Sequence, residues 1–119
     1  MNKENCAQLI SYTVVDFSSE AEMELYLLFF EKNGSDHFEK LNALGCVRWR
    51  INRVWNKTGG FSVSLIYEYV DEKSYKDCQI EIGKFVKQNE SFYKKLNIKR
   101  TASRAINILD YQNWYFSPT

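Results

Sequence analysis

Two periodicities alternate along this chain. Residues 7 to 17, AQLISYTVVDF, are rich in β-branched and aromatic side chains and predict a strand. The pattern then changes to helical spacing. Ser19 can cap, Glu22 three positions on can reach back to complete a capping box, and Ala21, Leu25, Leu28 and Phe29 fall at the i, i+4, i+7, i+8 intervals of a buried stripe. NGS at 33–35 predicts an interruption, after which Asp36 and Glu39 start a second short helix that stops at Gly45.

Alternation returns at 47–56, VRWRINRVWN, where Val47, Trp49, Ile51 and Trp55 point one way and Arg48, Arg50, Asn52 and Val54 the other. NKTGG predicts a turn, and FSVSLIYEYV (61–70) alternates again through Phe61, Val63, Leu65, Tyr67 and Tyr69. A hairpin register pairing Trp55 with Phe61, Trp49 with Tyr67 and Val47 with Tyr69 puts every large apolar side chain on one face and sets Arg48 opposite Glu68. Asp71 then caps a helix carrying Tyr75, Cys78, Ile82 and Phe85 on one stripe. A helical turn in ESFYKKL, a last strand at 102–111 and an aromatic tail, QNWYFSPT, complete the chain.

The order β-α-β-β-α-β predicts an α+β, ferredoxin-like plan: a four-stranded antiparallel sheet with helices on one face and the other face bare. With 119 residues, 45% of them hydrophobic, one proline and five glycines, the chain reads as one domain over 1–119 whose core can bury roughly two thirds of the unfolded surface. The bare face would carry Arg48, Arg50, Asn52, Ser62, Ser64, Ile66, Glu68 and Val70, too mixed for a core and too apolar for plain solvent surface, so a homodimer through that face is expected. Trp114, Tyr115 and Phe116 could pack on the partner subunit or fold back on their own sheet edge.

Together with LGC (44–46) leading into the second strand and the extra helical turn before the last one, this order resembles the dimeric α+β barrel superfamily of antibiotic-biosynthesis-type monooxygenases, stress-responsive barrel proteins and small polyketide cyclases. The resemblance lies in topology and element lengths. It implies two subunits laying their open sheet faces together, with small molecules bound between each sheet and its own helices. In the cofactor-free oxygenases of this fold, aromatic and hydrogen-bonding side chains hold an electron-rich substrate that itself activates oxygen.

Charge narrows the chemistry. Sixteen basic against fifteen acidic side chains give a net charge of +1, so no whole-molecule field draws nucleic acid or anionic lipid. Arg48, Arg50 and Arg53, interleaved with Trp49 and Trp55, look like a nucleic-acid surface. However, the register turns Trp49 and Tyr67 under the helices, whereas an RNA-recognition sheet needs its aromatics on the open face. The arginines therefore read as cross-strand pairing groups, and no nucleic acid is expected. No membrane partner is expected either, since the longest apolar run, LYLLFF, is far too short to span and MNKENCAQLISY lacks a signal peptide's apolar core. A cytoplasmic protein is expected. Cys6, Cys46 and Cys78 are odd in number and widely spaced, which argues against a disulfide framework or a thiolate zinc site, so neither metal nor cofactor is expected.

For catalysis the only histidine, His37, reads first as a surface or capping residue beside the helix break, and as the candidate for proton transfer if it faces a cleft. Substrate-binding candidates are Trp49, Tyr67 and Tyr69 of the hairpin, Tyr26 of the facing helix and Arg104 of the last strand. They offer a small apolar or aromatic ligand an aromatic wall and an anchor for an anionic group. Aromatics at strand alternation read first as a packed core without a cavity, and second as the wall of a cleft. Two functions follow: a small-molecule-binding homodimer with oxygenase or cyclase activity, or a non-catalytic dimerisation or ligand-sensing module.

Overall fold

A computed structural model describes residues 7–56 and 58–111. Its elements are β1 (Leu9–Phe17), α1 (Glu20–Ala43), β2 (Cys46–Arg53), β3 (Phe61–Tyr69), α2 (Glu72–Gln88), α3 (Glu90–Tyr93) and β4 (Ile98–Ile106). The four strands form one antiparallel sheet in the order β2-β3-β1-β4, the ferredoxin-like arrangement expected from the alternation pattern. The readings made of Cys6 and of Trp114, Tyr115 and Phe116 lie outside the described residues.

Central position explains the character of β1 and β3. β1 is hydrogen-bonded on both sides, from Leu9 opposite Tyr69 to Phe17 opposite Phe61 on one edge, and from Leu9 opposite Ile106 to Phe17 opposite Ile98 on the other. With both edges paired, alternate side chains can be committed wholly to the interior: Val15, Val63, Leu65 and Tyr69 are 0–2% exposed beneath the helices. Each such apolar side chain contributes about 1.5–3 kcal/mol relative to leaving it in water. The opposite face presents Ile10, Tyr12, Val14 and Asp16 of β1 beside Ser64, Ile66 and Glu68 of β3. Asp16 accepts a 2.5 Å hydrogen bond from the Ser62 hydroxyl, and the Asn52 amide donates to Ser64 Oγ at 3.2 Å.

The helix before β2 corrects three expectations. It runs unbroken from Glu20 to Ala43, so NGS does not interrupt it. The Asn33 amide is absorbed by the carbonyl of Phe29 at 2.8 Å, and Gly34 is buried. The fully buried stripe is Met23, Tyr26, Phe30, Gly34, His37 and Leu41; of the expected set only Phe29 packs against the core, partly buried, while Ala21, Leu25 and Leu28 are exposed. Both sets have helical spacing, and the one chosen is the one that meets the aromatic side chains of β2 and β3. At the N-terminus Ser19 Oγ accepts from the Glu22 amide at 3.2 Å as expected, but Glu22 does not close the box. Its carboxylate accepts from the Ser18 hydroxyl at 3.1 Å and from the Asn97 amide at 2.8 Å, tying the start of α1 to the entry of β4.

The hairpin keeps most of its expected register: Trp49 faces Tyr67, Arg48 faces Glu68 and Ile51 faces Leu65. A bulge between Cys46 and Arg48 gives Tyr69 the partner Cys46 in place of Val47, and the ladder ends at Arg53, so Trp55 is 91% exposed and does not pair with Phe61. Arg50, not Arg48, carries the ion pair to Glu68, at 3.3 Å, and Arg53 reaches Glu24 at 2.7 Å. Asp71 caps α2 through the Ser74 amide at 2.8 Å. The last strand begins at Ile98 and ends at Ile106 instead of spanning 102–111, because β1 sets its length by pairing along its whole extent.

Candidate ligand-binding cleft

The bulge and the unbroken α1 together assemble a continuous run of rings under the helices. His37 stacks on Phe85 of α2 at 3.9 Å between centroids and meets Trp49 edge-on at 5.6 Å. Trp49 lies parallel to Tyr67 at 5.5 Å, Tyr67 parallel to Tyr69 at 6.2 Å, and Tyr69 meets Tyr75 of α2 edge-on at 5.5 Å. These parallel neighbours follow from strand geometry, since Tyr67 and Tyr69 are i, i+2 on β3 and Trp49 is the cross-strand partner of Tyr67. Tyr26 sits one row away, edge-on to both Phe17 and Phe30. Trp49, Tyr67, Tyr69 and Tyr26 therefore belong to one aromatic layer, with Tyr26, Tyr67 and Tyr69 buried and Trp49 partly so.

His37 is 4% exposed in the middle of α1, which corrects the expectation of a surface or capping residue. Burial lowers its pKa, opposed by the nearby Glu81 carboxylate and reinforced by Lys40, so the imidazole is held neutral between its ring neighbours. Among the described residues, three buried polar atoms, His37 Nδ1, Trp49 Nε1 and Tyr69 OH, have no hydrogen-bond partner. Burial raises the phenols of Tyr26, Tyr67 and Tyr69, takes the Tyr93 phenol up to about 12, and moves the thiols of Cys46 and Cys78 to about 12 and about 11. All these groups are protonated at neutral pH, so the layer offers neutral surfaces and donors, not nucleophiles. Among the described residues no three His, Cys, Asp or Glu side chains gather as a metal site, and no helix is long and apolar enough to cross a membrane.

The run of rings ends at a cavity. The Arg104 guanidinium carbon lies 5.1 Å from the centre of the Tyr75 ring, a cation–π contact between β4 and the first turns of α2. Leu9, Glu72, Tyr75, Arg104, Ala105 and Ile106 line a cleft of about 400 Å³ there, within the range that holds small organic ligands. Arg104 is thus the one expected binding residue that lines this cleft; Trp49, Tyr67 and Tyr69 lie along the stack behind Tyr75. Sequence reasoning did not place Leu9, Glu72, Tyr75, Ala105 or Ile106 at a cleft, reading Tyr75 only as part of the buried stripe of α2. The available signal was the strand order: placing the first strand beside the last brings Leu9 opposite Ile106, and the Asp71 cap fixes Glu72 and Tyr75 in the first turn above them.

A second hollow, of about 390 Å³, lies between the start of α1 and the turn after α3, lined by Ser19, Ala21, Glu22, Leu25, Phe92, Lys95 and Leu96. Glu22 is already engaged there by Ser18 and Asn97.

An antiparallel 2-3-1-4 sheet with two helices on one face and an aromatic layer between them is the architecture of the dimeric α+β barrel superfamily. Within that architecture the chain belongs to the family described as Domain of unknown function (DUF6974), whose model matches residues 6–107. Two solved structures of dimeric ferredoxin-like proteins from uncultured marine organisms are 27% identical to it. Each covers 88% of this chain, which in turn covers 99% and 98% of theirs, and both superpose with a TM-score of 0.82. A monooxygenase from Streptomyces coelicolor, solved with the ligand nanaomycin D, is 10% identical with a TM-score of 0.64, over 89% of this chain and 92% of its own; it shares the fold. No curated protein matches the chain.

Proposed function

We propose that this protein is a cytoplasmic homodimer, built by packing the open sheet faces of two copies, that binds a small molecule between sheet and helices. The cleft beside Arg104 carries this reading. It lies at the helix-covered side of the sheet, so it stays accessible when the open faces are joined, and it combines apolar walls with one cation. The dimer is supported by Tyr12, 42% exposed amid the partly buried Ile10, Val14 and Ile66 on the open face, and by the dimeric relatives. Free, buried Cys46 and Cys78 suit a reducing compartment.

Binding without catalysis is the activity this geometry favours. The positions that would supply a base, His37 and the phenols of Tyr67 and Tyr69, stand in the aromatic layer and not in the lining of the Arg104 cleft, and burial holds the phenols protonated. An oxygenase or cyclase of this fold would instead use the substrate's own acidity, with Tyr75 and Arg104 orienting it; the shared fold of the Streptomyces coelicolor monooxygenase motivates that second reading.

Native mass spectrometry of protein purified gently from its expression host tests the proposal. A dimer with a retained small-molecule adduct is expected, and Ile66→Glu on the open face should yield a folded monomer. A wild-type monomer at all accessible concentrations would overturn the dimer. Turnover of oxygen in the presence of an electron-rich phenol would replace the binding reading with the oxygenase one.

A further inference from the structure

We propose that the Arg104 cleft selects a small organic carboxylate with a flat apolar body: the carboxylate engages the guanidinium while the body lies between Tyr75 and the side chains of Leu9 and Ile106. This rests on the ligand-binding reading above and names the ligand class. Arg104 is the cation of the cleft, and among the described residues it has no carboxylate partner. Among the described residues the one acid in the lining is Glu72, whose carboxylate pairs with Lys76 one turn along α2 at 3.2 Å.

Tyr75 holds the guanidinium from one side, with 5.1 Å between its carbon and the ring centre, a contact that limits its rotation within the cleft lining. The planar N–H fork of a guanidinium matches a carboxylate bidentately. The remaining lining, Leu9, Ala105 and Ile106, offers no donor or acceptor side chain, so the body of the ligand gains by being apolar. Ile106, 72% exposed, would be covered by such a body. A polyanion would leave charges against these walls without partners, which disfavours phosphate-rich ligands.

The test titrates ¹⁵N-labelled full-length protein with 2-naphthoate and, separately, with the neutral 2-naphthalenemethanol, following the backbone amides of Leu9, Tyr75, Ala105 and Ile106. Both should move those amides, with the acid binding about tenfold or more tightly. Arg104→Gln, at an exposed strand position, should weaken the acid by about tenfold to a hundredfold and leave the alcohol unchanged. Acid and alcohol binding equally, with no effect of Arg104→Gln, would overturn anion selection while keeping the cleft as a binding site. Amides that move with neither probe would overturn the cleft as a binding site altogether. The wild-type comparison of acid and alcohol decides the matter even if the variant is poorly folded.

Discussion

The ring of Trp49 lies against the backbone of Gly34: a methyl group built on Gly34 would sit 3.6 Å from Trp49 Cζ3 and 3.9 Å from Cη2. That contact limits position 34, in the middle of a 24-residue helix, to a small residue. A large side chain there would push α1 off the sheet, whereas alanine would fill ordinary contact space and remove the backbone-entropy cost of glycine. Gly34→Ala should therefore raise stability by about 0.5–1 kcal/mol, and Gly34→Leu should lower it by about 1–3 kcal/mol. Chemical denaturation of both variants checks the pair; a loss of stability in the alanine variant would contradict the contact distances.

Gly45 makes the opposite demand. Its φ of +106° lies where side-chain-bearing residues are strained, and a methyl there would lie 2.5 Å from Ser74 Cβ and still closer to the Ser74 hydroxyl. Gly45→Ala should cost about 1–3 kcal/mol. Adding Ser74→Ala should not restore stability, since the Cβ clash and the backbone strain both remain. Full rescue in the double variant would show that the hydroxyl alone sets the constraint.

Trp49 and Tyr69 separate packing from polarity in the aromatic layer. Trp49→Ala removes contacts with Phe30, His37 and Tyr67 and should destabilise by about 3–5 kcal/mol. Tyr69→Phe removes only a buried hydroxyl that has no partner, so stability should be unchanged or higher by about 1 kcal/mol. A large loss in Tyr69→Phe would mean that the hydroxyl is satisfied in solution, and amide exchange of α2 would locate the partner.

His37 gives the fold an acid-side weakness. Its folded pKa lies below the ordinary value near 6.5, chiefly because burial disfavours the imidazolium, so the unfolded chain takes up the proton more readily. This contribution is fully present above about pH 6.5 and is lost as pH falls from there toward the lowered folded value. Melting temperature should fall across that window. As His37 is the sole histidine, His37→Gln should flatten the slope there while leaving the carboxylate-driven loss at lower pH. An equal slope in the variant would assign the weakness to other groups.

Local chemistry in the chain determined a good deal of this. Alternation at 61–70 and at 47–53, the Ser19 and Asp71 caps, and a glycine where α1 ends are dictated by strand pleat, orphan amides and left-handed backbone, all of which act within a few residues. They suffice for the β-α-β-β-α-β order and for the pairing of Trp49 with Tyr67. Tertiary structure decided what two equally periodic readings left open. α1 carries one apolar stripe through Ala21, Leu25 and Leu28 and another through Met23, Tyr26 and Phe30, and only docking on the sheet selects the second. The limit on side-chain size at Gly34 likewise comes from Trp49 arriving from another element. The cleft is the most non-local feature of all: Leu9 and Ile106 meet across a β1–β4 ladder joining opposite ends of the described chain, and Arg104 of β4 shares its lining with Tyr75 of α2, on which it is stacked. Spacing along a sequence cannot show such a meeting, because the free energy that fixes it comes from closing the sheet and burying its helix face as one event.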